Sequence, residues 1–249
     1  MMAGPGVTGG LRRGLRCYTP PPMTMLMLNL AALAALFALT LASFAVPAGT
    51  ASSGATPAGK GDSRGLRFWC VLAVALAGTG AVAWVDFAAG WRAGLAPALW
   101  LTVVATLLLY GAGSVICPAL SRLGALLGPY LFILAILATV WSHASGTVER
   151  AGAGTAWLDL HIAVSVATYA LFTLAAVAGA AVFFQERAMK ARRPSRLTAV
   201  LPAVADGESV QRTLMVMAAV VLGLGLASGI VIEYRATGHF VVLSHKVVF

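Results

Sequence analysis

Long runs of apolar residues alternate with short polar stretches along the chain. They fall at about 24–46, 68–89, 95–117, 126–142, 158–184 and 211–232. Most reach the roughly 20 residues that a helix needs to cross the hydrocarbon of a bilayer. The fourth is the shortest, and Pro129 near its start fits a first-turn proline, where the missing N–H has no helical partner to lose. A further apolar stretch begins near Phe240, and the chain ends at Phe249. A stretch of about ten residues cannot span a bilayer. The pattern therefore predicts an all-α fold: a polytopic transmembrane helix bundle with six full spans plus a truncated seventh that a natural version would continue.

Composition supports the same class. Hydrophobic residues make up 60% of the 249 positions and charged residues 10%, against the roughly 25% charged residues of a soluble domain. No soluble core could hide this much apolar surface, so the bilayer must be the solvent. The net charge of +9 would suggest nucleic acid in a soluble protein. Here the basic residues sit between apolar runs, which reads as membrane topology and not as nucleic-acid contact.

With the N-terminus outside, the inner connections hold Lys60, Arg64, Arg67, Arg122, Arg187, Lys190, Arg192, Arg193, Arg196 and Arg212. The outer side holds Arg92, Arg150, Arg235 and Lys246, and also Arg12, Arg13 and Arg16 of the N-terminal extension. The positive-inside rule favours this orientation and puts the basic loop 185–210 in the cytoplasm, although the extension argues the other way. Two readings resolve the conflict. Residues 1–22 are a disordered extension or lie upstream of the true start at Met23, Met25 or Met27, which leaves 23–249 as the membrane domain. Alternatively, 12–48 is a signal peptide ending near Ala48, with "LRRGLR" as its charged region and "AVPA" as a small-residue cleavage site. Its apolar stretch is longer than the 7–15 residues usual in such peptides, and the late start is preferred.

One feature survives either orientation. Successive spans alternate in direction, so helix ends sort onto two faces. His143 ends the fourth span, His161 begins the fifth, and His239 and His245 follow the sixth. All four histidines thus fall on the face opposite the polybasic loop. Trp84, Trp91, Trp100, Trp141 and Trp157 lie toward that same face, and Trp69 toward the other. An aromatic belt would populate both interfaces; a shared site on the outer face would gather both residue types on one.

His161 is the most specific of the four. The fifth span reads "LDLHIAVSVATYALFT", in which His161, Ser165, Thr168, Tyr169 and Thr173 recur at helical spacing as a polar stripe. Hydroxyls of this kind often serve helix packing alone. An imidazole inside a membrane helix is costly unless it faces the bundle interior and finds a partner. A neutral imidazole also offers a lone pair to a metal while its other N–H seeks an acceptor. Asp159, two residues away, lies on a different face and is not an obvious partner. A lone histidine at a helix end is most simply an interface residue satisfied by water.

The segment "LDLHIAVSVATYALFTLAAVAGAAVFFQERAMK", the following proline-containing loop, "ESVQRTLMVMAAVVLGLGLASGIVIE" and "HFVVLSHKVV" together resemble the cytochrome c assembly superfamily. That superfamily includes the CcsA and CcmC haem-handling proteins, and the most similar branch is the HemX/YpjD-type inner membrane proteins. The resemblance covers about 140–249; upstream it rests mainly on helix count. His161, Ser165 and Tyr169 match an "LHxxxSxxxY" helix start whose histidine is an external haem-ligand candidate. "SGIVIEYRATGHFVVLSHK" stands where CcsA proteins carry "GAxWAxxAWGxYWxWDPKE". Lys246 can be laid on the lysine of that motif, and His245 stands near the lost Asp-Pro, but the tryptophans and the aspartate are absent. The resemblance implies a type b haem in the inner membrane, with His161 as axial ligand of the iron and His245 or His143 as the second. It also implies work alongside other cytochrome c maturation components. Arg235 or Lys246 would pair with haem propionates, since exposed basic groups suit carboxylates. The missing tryptophans weaken haem handover to an apocytochrome more than haem binding. His161 and His245 are expected at similar depth on the outer face, roughly 5 and 8 Å below the starts of two inward-running helices.

Other chemistry is sparse. Cys17, Cys70 and Cys117 form no CxxC, which excludes a thioredoxin-like relay and a covalent haem attachment site. No phosphate-binding loop or nucleophile elbow is present, and no catalytic set of residues emerges. Gly225 and Gly229 form a GxxxG that permits close helix packing. The "QERAMKARRPSRLTAV" loop reads as an anionic-lipid contact and topology anchor. Three functional classes follow: a haem-binding membrane protein of cytochrome c assembly or haem handling, a membrane transporter, and a structural or regulatory membrane subunit without cofactor. Few intramembrane charges and no interrupted helices argue against the transporter.

Overall fold

A computed structural model describes residues 22–44, 61–88, 92–144, 148–149, 156–192 and 195–237. The described chain is helical apart from one two-residue strand pairing. Its elements run α1 (Pro22–Phe44), α2 (Gly61–Ala88), β1 (Arg92–Ala93), α3 (Leu95–Ile116) and α4 (Pro118–Ser121). They continue with α5 (Gly124–Ala144), β2 (Val148–Glu149), α6 (Ala156–Ala191), α7 (Arg196–Val200) and α8 (Val204–Thr237). Six of these helices, α1, α2, α3, α5, α6 and α8, are long and apolar enough to cross a membrane. In lipid only a helix or a closed barrel can satisfy its own backbone, which is why each apolar run folds as one unbroken helix. The expected seventh span lies outside the described residues, as do residues 1–21.

Helices α1, α2, α3 and α5 form a four-helix core in which each packs on two neighbours. Helix α6 lies against α3, and α8 packs chiefly on α6. Leu36, Leu72, Trp100, Leu107, Tyr110, Leu127 and Leu131 are almost fully buried in this core. Small residues let the backbones approach. A Cβ on Gly128 would stand 3.0 Å from the Thr40 Cα and 2.8 Å from its Oγ1, so α1 and α5 are in direct contact there. Hydroxyls inside the bundle bond to their own helix: Thr79 donates to the Ala75 carbonyl at 2.8 Å and Thr106 to the Thr102 carbonyl at 2.7 Å. These threonines are satisfied locally and mark no site.

Two expectations change. Pro129 sits inside α5, not in its first turn. The helix begins at Gly124, directly after a tight turn in which the Tyr110 hydroxyl donates to the Ser121 carbonyl at 2.7 Å. The basic loop 185–210 is mostly helix. Helix α6 continues to Ala191, where Arg192 takes a left-handed φ of 49°. Ser195 then caps α7 with a reciprocal capping box to Thr198, and α8 starts at Val204. Gln185 on α6 donates to the Thr198 carbonyl at 2.8 Å, which ties the connection back onto the helix. The polar composition that suggests a loop reflects helix ends that overrun the hydrocarbon. The 36 residues of α6 measure about 54 Å, against a hydrocarbon core of roughly 30 Å.

Candidate functional site at the α6–α8 contact

Helix ends sort onto two faces as the alternation requires. The face bearing the start of α6 also bears the end of α5 and the end of α8. On it the α2–α3 connection pairs with the α5–α6 connection through antiparallel β1 and β2, Arg92 opposite Glu149 and Ala93 opposite Val148.

His161 lies in the second turn of α6, about 8 Å from its start. Its imidazole is half-buried against α8. Nδ1 is 2.8 Å from the Ser228 Oγ. That hydroxyl is also 2.8 Å from the Gly225 carbonyl and donates to it. A serine hydroxyl carries one hydrogen. With that hydrogen given to Gly225, Nδ1–H donates to Ser228, and Nε2 keeps the lone pair. One turn earlier, the Trp157 indole N–H donates to the Ser228 carbonyl at 3.3 Å. Ser228 therefore receives two α6 side chains, one on its hydroxyl and one on its backbone.

The GxxxG makes this approach possible. A Cβ on Gly229 would stand 3.3 Å from the His161 Cε1, and one on Gly225 would stand 3.4 Å from a Val164 methyl. The ring lies almost on the α8 backbone. Ser228 is the residue of this candidate site that sequence reasoning missed. Its signal was the serine flanked by the two glycines in "GLASG", visible only once α6 is known to lie on that surface.

The polar stripe of α6 does not hold together as one surface. Ser165 donates to the His161 carbonyl at 2.8 Å, and buried Thr168 to the Val164 carbonyl at 2.9 Å. Tyr169 is 65% exposed and points away from the bundle. At 100° per residue, position 169 has rotated about 80° from position 161. Asp159 is exposed, and among the described residues it forms no ion pair with His161. The tryptophans also divide. Trp84 and Trp141 are exposed as belt residues, Trp100 is buried in the core, and Trp157 bridges to α8.

His143 lies one residue before the end of α5, on the same face as the start of α6. Arg235 lies in the last turn of α8. His239, His245 and Lys246 lie outside the described residues. Among the described side chains His161 meets Ser228. Among them, no three His, Cys, Asp or Glu side chains converge as a metal site. A haem asks for less, because its porphyrin supplies four of the iron's ligands and the protein one or two axial ones. An imidazole with Nδ1 tied down and Nε2 free fits that demand.

The fold defines a multi-pass α-helical membrane protein. The chain is 45% identical over 190 residues to a protein of Azospirillum brasilense described as an uncharacterized 28.8 kDa protein in nifR3-like 5'region. The match covers 76% of this chain and 70% of that relative. The chain belongs to the family of that protein. No family model matches the chain, and no solved structure does.

Proposed function

We propose that this is an integral membrane haem-binding protein that serves cytochrome c assembly or haem handling, in which His161 would hold the haem iron. The observation that supports the reading is the His161–Ser228 contact at 2.8 Å. Histidines that bind metals through one ring nitrogen almost always donate the other N–H to a fixed acceptor, which sets the tautomer and the ring orientation. Ser228 provides that acceptor within an otherwise apolar helix contact. When bound, haem would supply an iron centre to be carried, stored or sensed. His161 holds the Nε2 lone pair available for it, and the α6–α8 contact keeps the ring oriented. His245 or His143 would be the second histidine to hold the haem, and Arg235 and Lys246 would pair with its propionates. In this reading the protein resides in the bacterial inner membrane with the basic ends of α6 and α8 in the cytoplasm.

The test is a histidine series in the full chain, purified after haem feeding. His161→Ala is expected to lose retained haem while still inserting in the membrane. Of His245→Ala and His143→Ala, the one that loses the second ligand converts the low-spin spectrum to high-spin. His239→Ala should have the smallest effect. Haem retained in full by His161→Ala would refute the assignment.

A further inference from the structure

The outward face of α6, away from α8 and the core, carries a second pattern that the haem reading does not use. Tyr169, Phe172, Ala176, Phe183, Arg187 and Lys190 recur at spacings of three, four and seven residues, so they share one side of the helix. All six are exposed. From the membrane centre toward the basic end, this face is first apolar, with the small Ala176 between the rings of Phe172 and Phe183. It ends in two cations within one turn.

Depth decides what those cations meet. Between Asp159 and Arg187 the helix runs about 42 Å, close to the roughly 40–45 Å of a bilayer with its headgroup layers. Arg187 and Lys190 therefore stand at headgroup level, not in open water, and Phe183 stands one turn deeper, where acyl chains begin. Lys190 is partly engaged, since its Nζ lies 3.6 Å from the Glu186 carboxylate. Both side chains of that pair are exposed, and exposed pairs of this kind are weak. Among the described residues Arg187 forms no ion pair. A second copy inserted in the same direction would place its own Arg187 at the same level and repel this one. A phosphodiester complements the charge.

We propose that this face of α6 seats one anionic phospholipid, its phosphate held by Arg187 and Lys190 and one acyl chain lying along Phe183, Ala176 and Phe172. The positive-inside loop thereby becomes a defined site on a helix. The seat does not depend on haem.

The full chain would be reconstituted into vesicles of phosphatidylglycerol and phosphatidylcholine in equal amounts. It would then be re-extracted in mild detergent and its retained lipids counted by native mass spectrometry. The wild type should retain phosphatidylglycerol in excess. In Arg187→Gln/Lys190→Gln that excess should fall by roughly fivefold for each basic side chain lost. Both positions are exposed, so the helix content should not change. High salt during extraction should reduce the wild-type excess without any substitution. Phe183→Ala should lower retention of both lipids equally. Equal retention of the two lipids by the wild type would overturn the proposal, as would a double variant that keeps the full preference.

Discussion

Replacing Ser228 by alanine separates the orienting role of that residue from its packing role. The substitution deletes the oxygen that accepts the His161 Nδ1–H at 2.8 Å. It leaves the backbone carbonyl that accepts from Trp157, and the glycines on either side still let the ring approach. Hydrogen bonds between membrane helices average about 0.6 kcal/mol and reach about 1.7, so the bundle should lose about 1 kcal/mol or less. The effect on a ligand should be larger. Without an acceptor the two neutral tautomers compete, and the ring loses the bond that holds it. Losing such a supporting contact typically costs 10–100-fold in metal affinity. Haem titration of the purified apo protein gives the affinity, and thermal unfolding in the same detergent gives the stability. Ser228→Ala should lose tenfold or more in haem affinity with nearly unchanged unfolding. An alanine variant that binds haem as tightly as the wild type would refute the orienting role.

Four other outcomes are expected. Gly128→Leu should destabilise the bundle by about 3 kcal/mol, because its Cβ alone would stand 3.0 Å from the Thr40 backbone. Gly80→Ala, which meets nothing within 4 Å, should be neutral or slightly stabilising when unfolding is followed by circular dichroism. A topology reporter fused near Arg193 should be active only in the cytoplasm, and activity only in the periplasm would reverse the orientation. Deletion to Met23 should leave membrane insertion intact in a fractionation assay, because the transmembrane stretch of α1 begins at that residue.

The spans were legible in the sequence because a bilayer imposes one rule on every crossing segment, and 24–46, 95–117 and 211–232 obey it plainly. Helix ends were not. Residues 185–191 and 204–210 are polar enough to read as loop. They are helical because α6 and α8 support each other beyond the hydrocarbon, through contacts such as that between Gly207 and Val182. The candidate site was legible only in part. His161 stood out because an imidazole is conspicuous in an apolar helix. Ser228 did not, because its meaning depends on which helix lies against it, and the packing of α8 on α6 is a tertiary fact. Tyr169 shows the reverse case. Its spacing from His161 and Ser165 suggested a shared surface, but rotation along the helix carries it outward. Gly225 and Gly229 were read correctly as a packing surface, and the structure adds that the imidazole is part of what packs there.

Haem held through His161 is the property on which the proposed function stands. Its most direct measurement is the absorbance spectrum of the intact protein, purified from membranes of haem-fed cells, oxidised and then reduced. The wild type should show a Soret band that sharpens and shifts on reduction, and His161→Ala purified in parallel should lack it. A folded wild-type protein that stays colourless after haem feeding would contradict the proposed function.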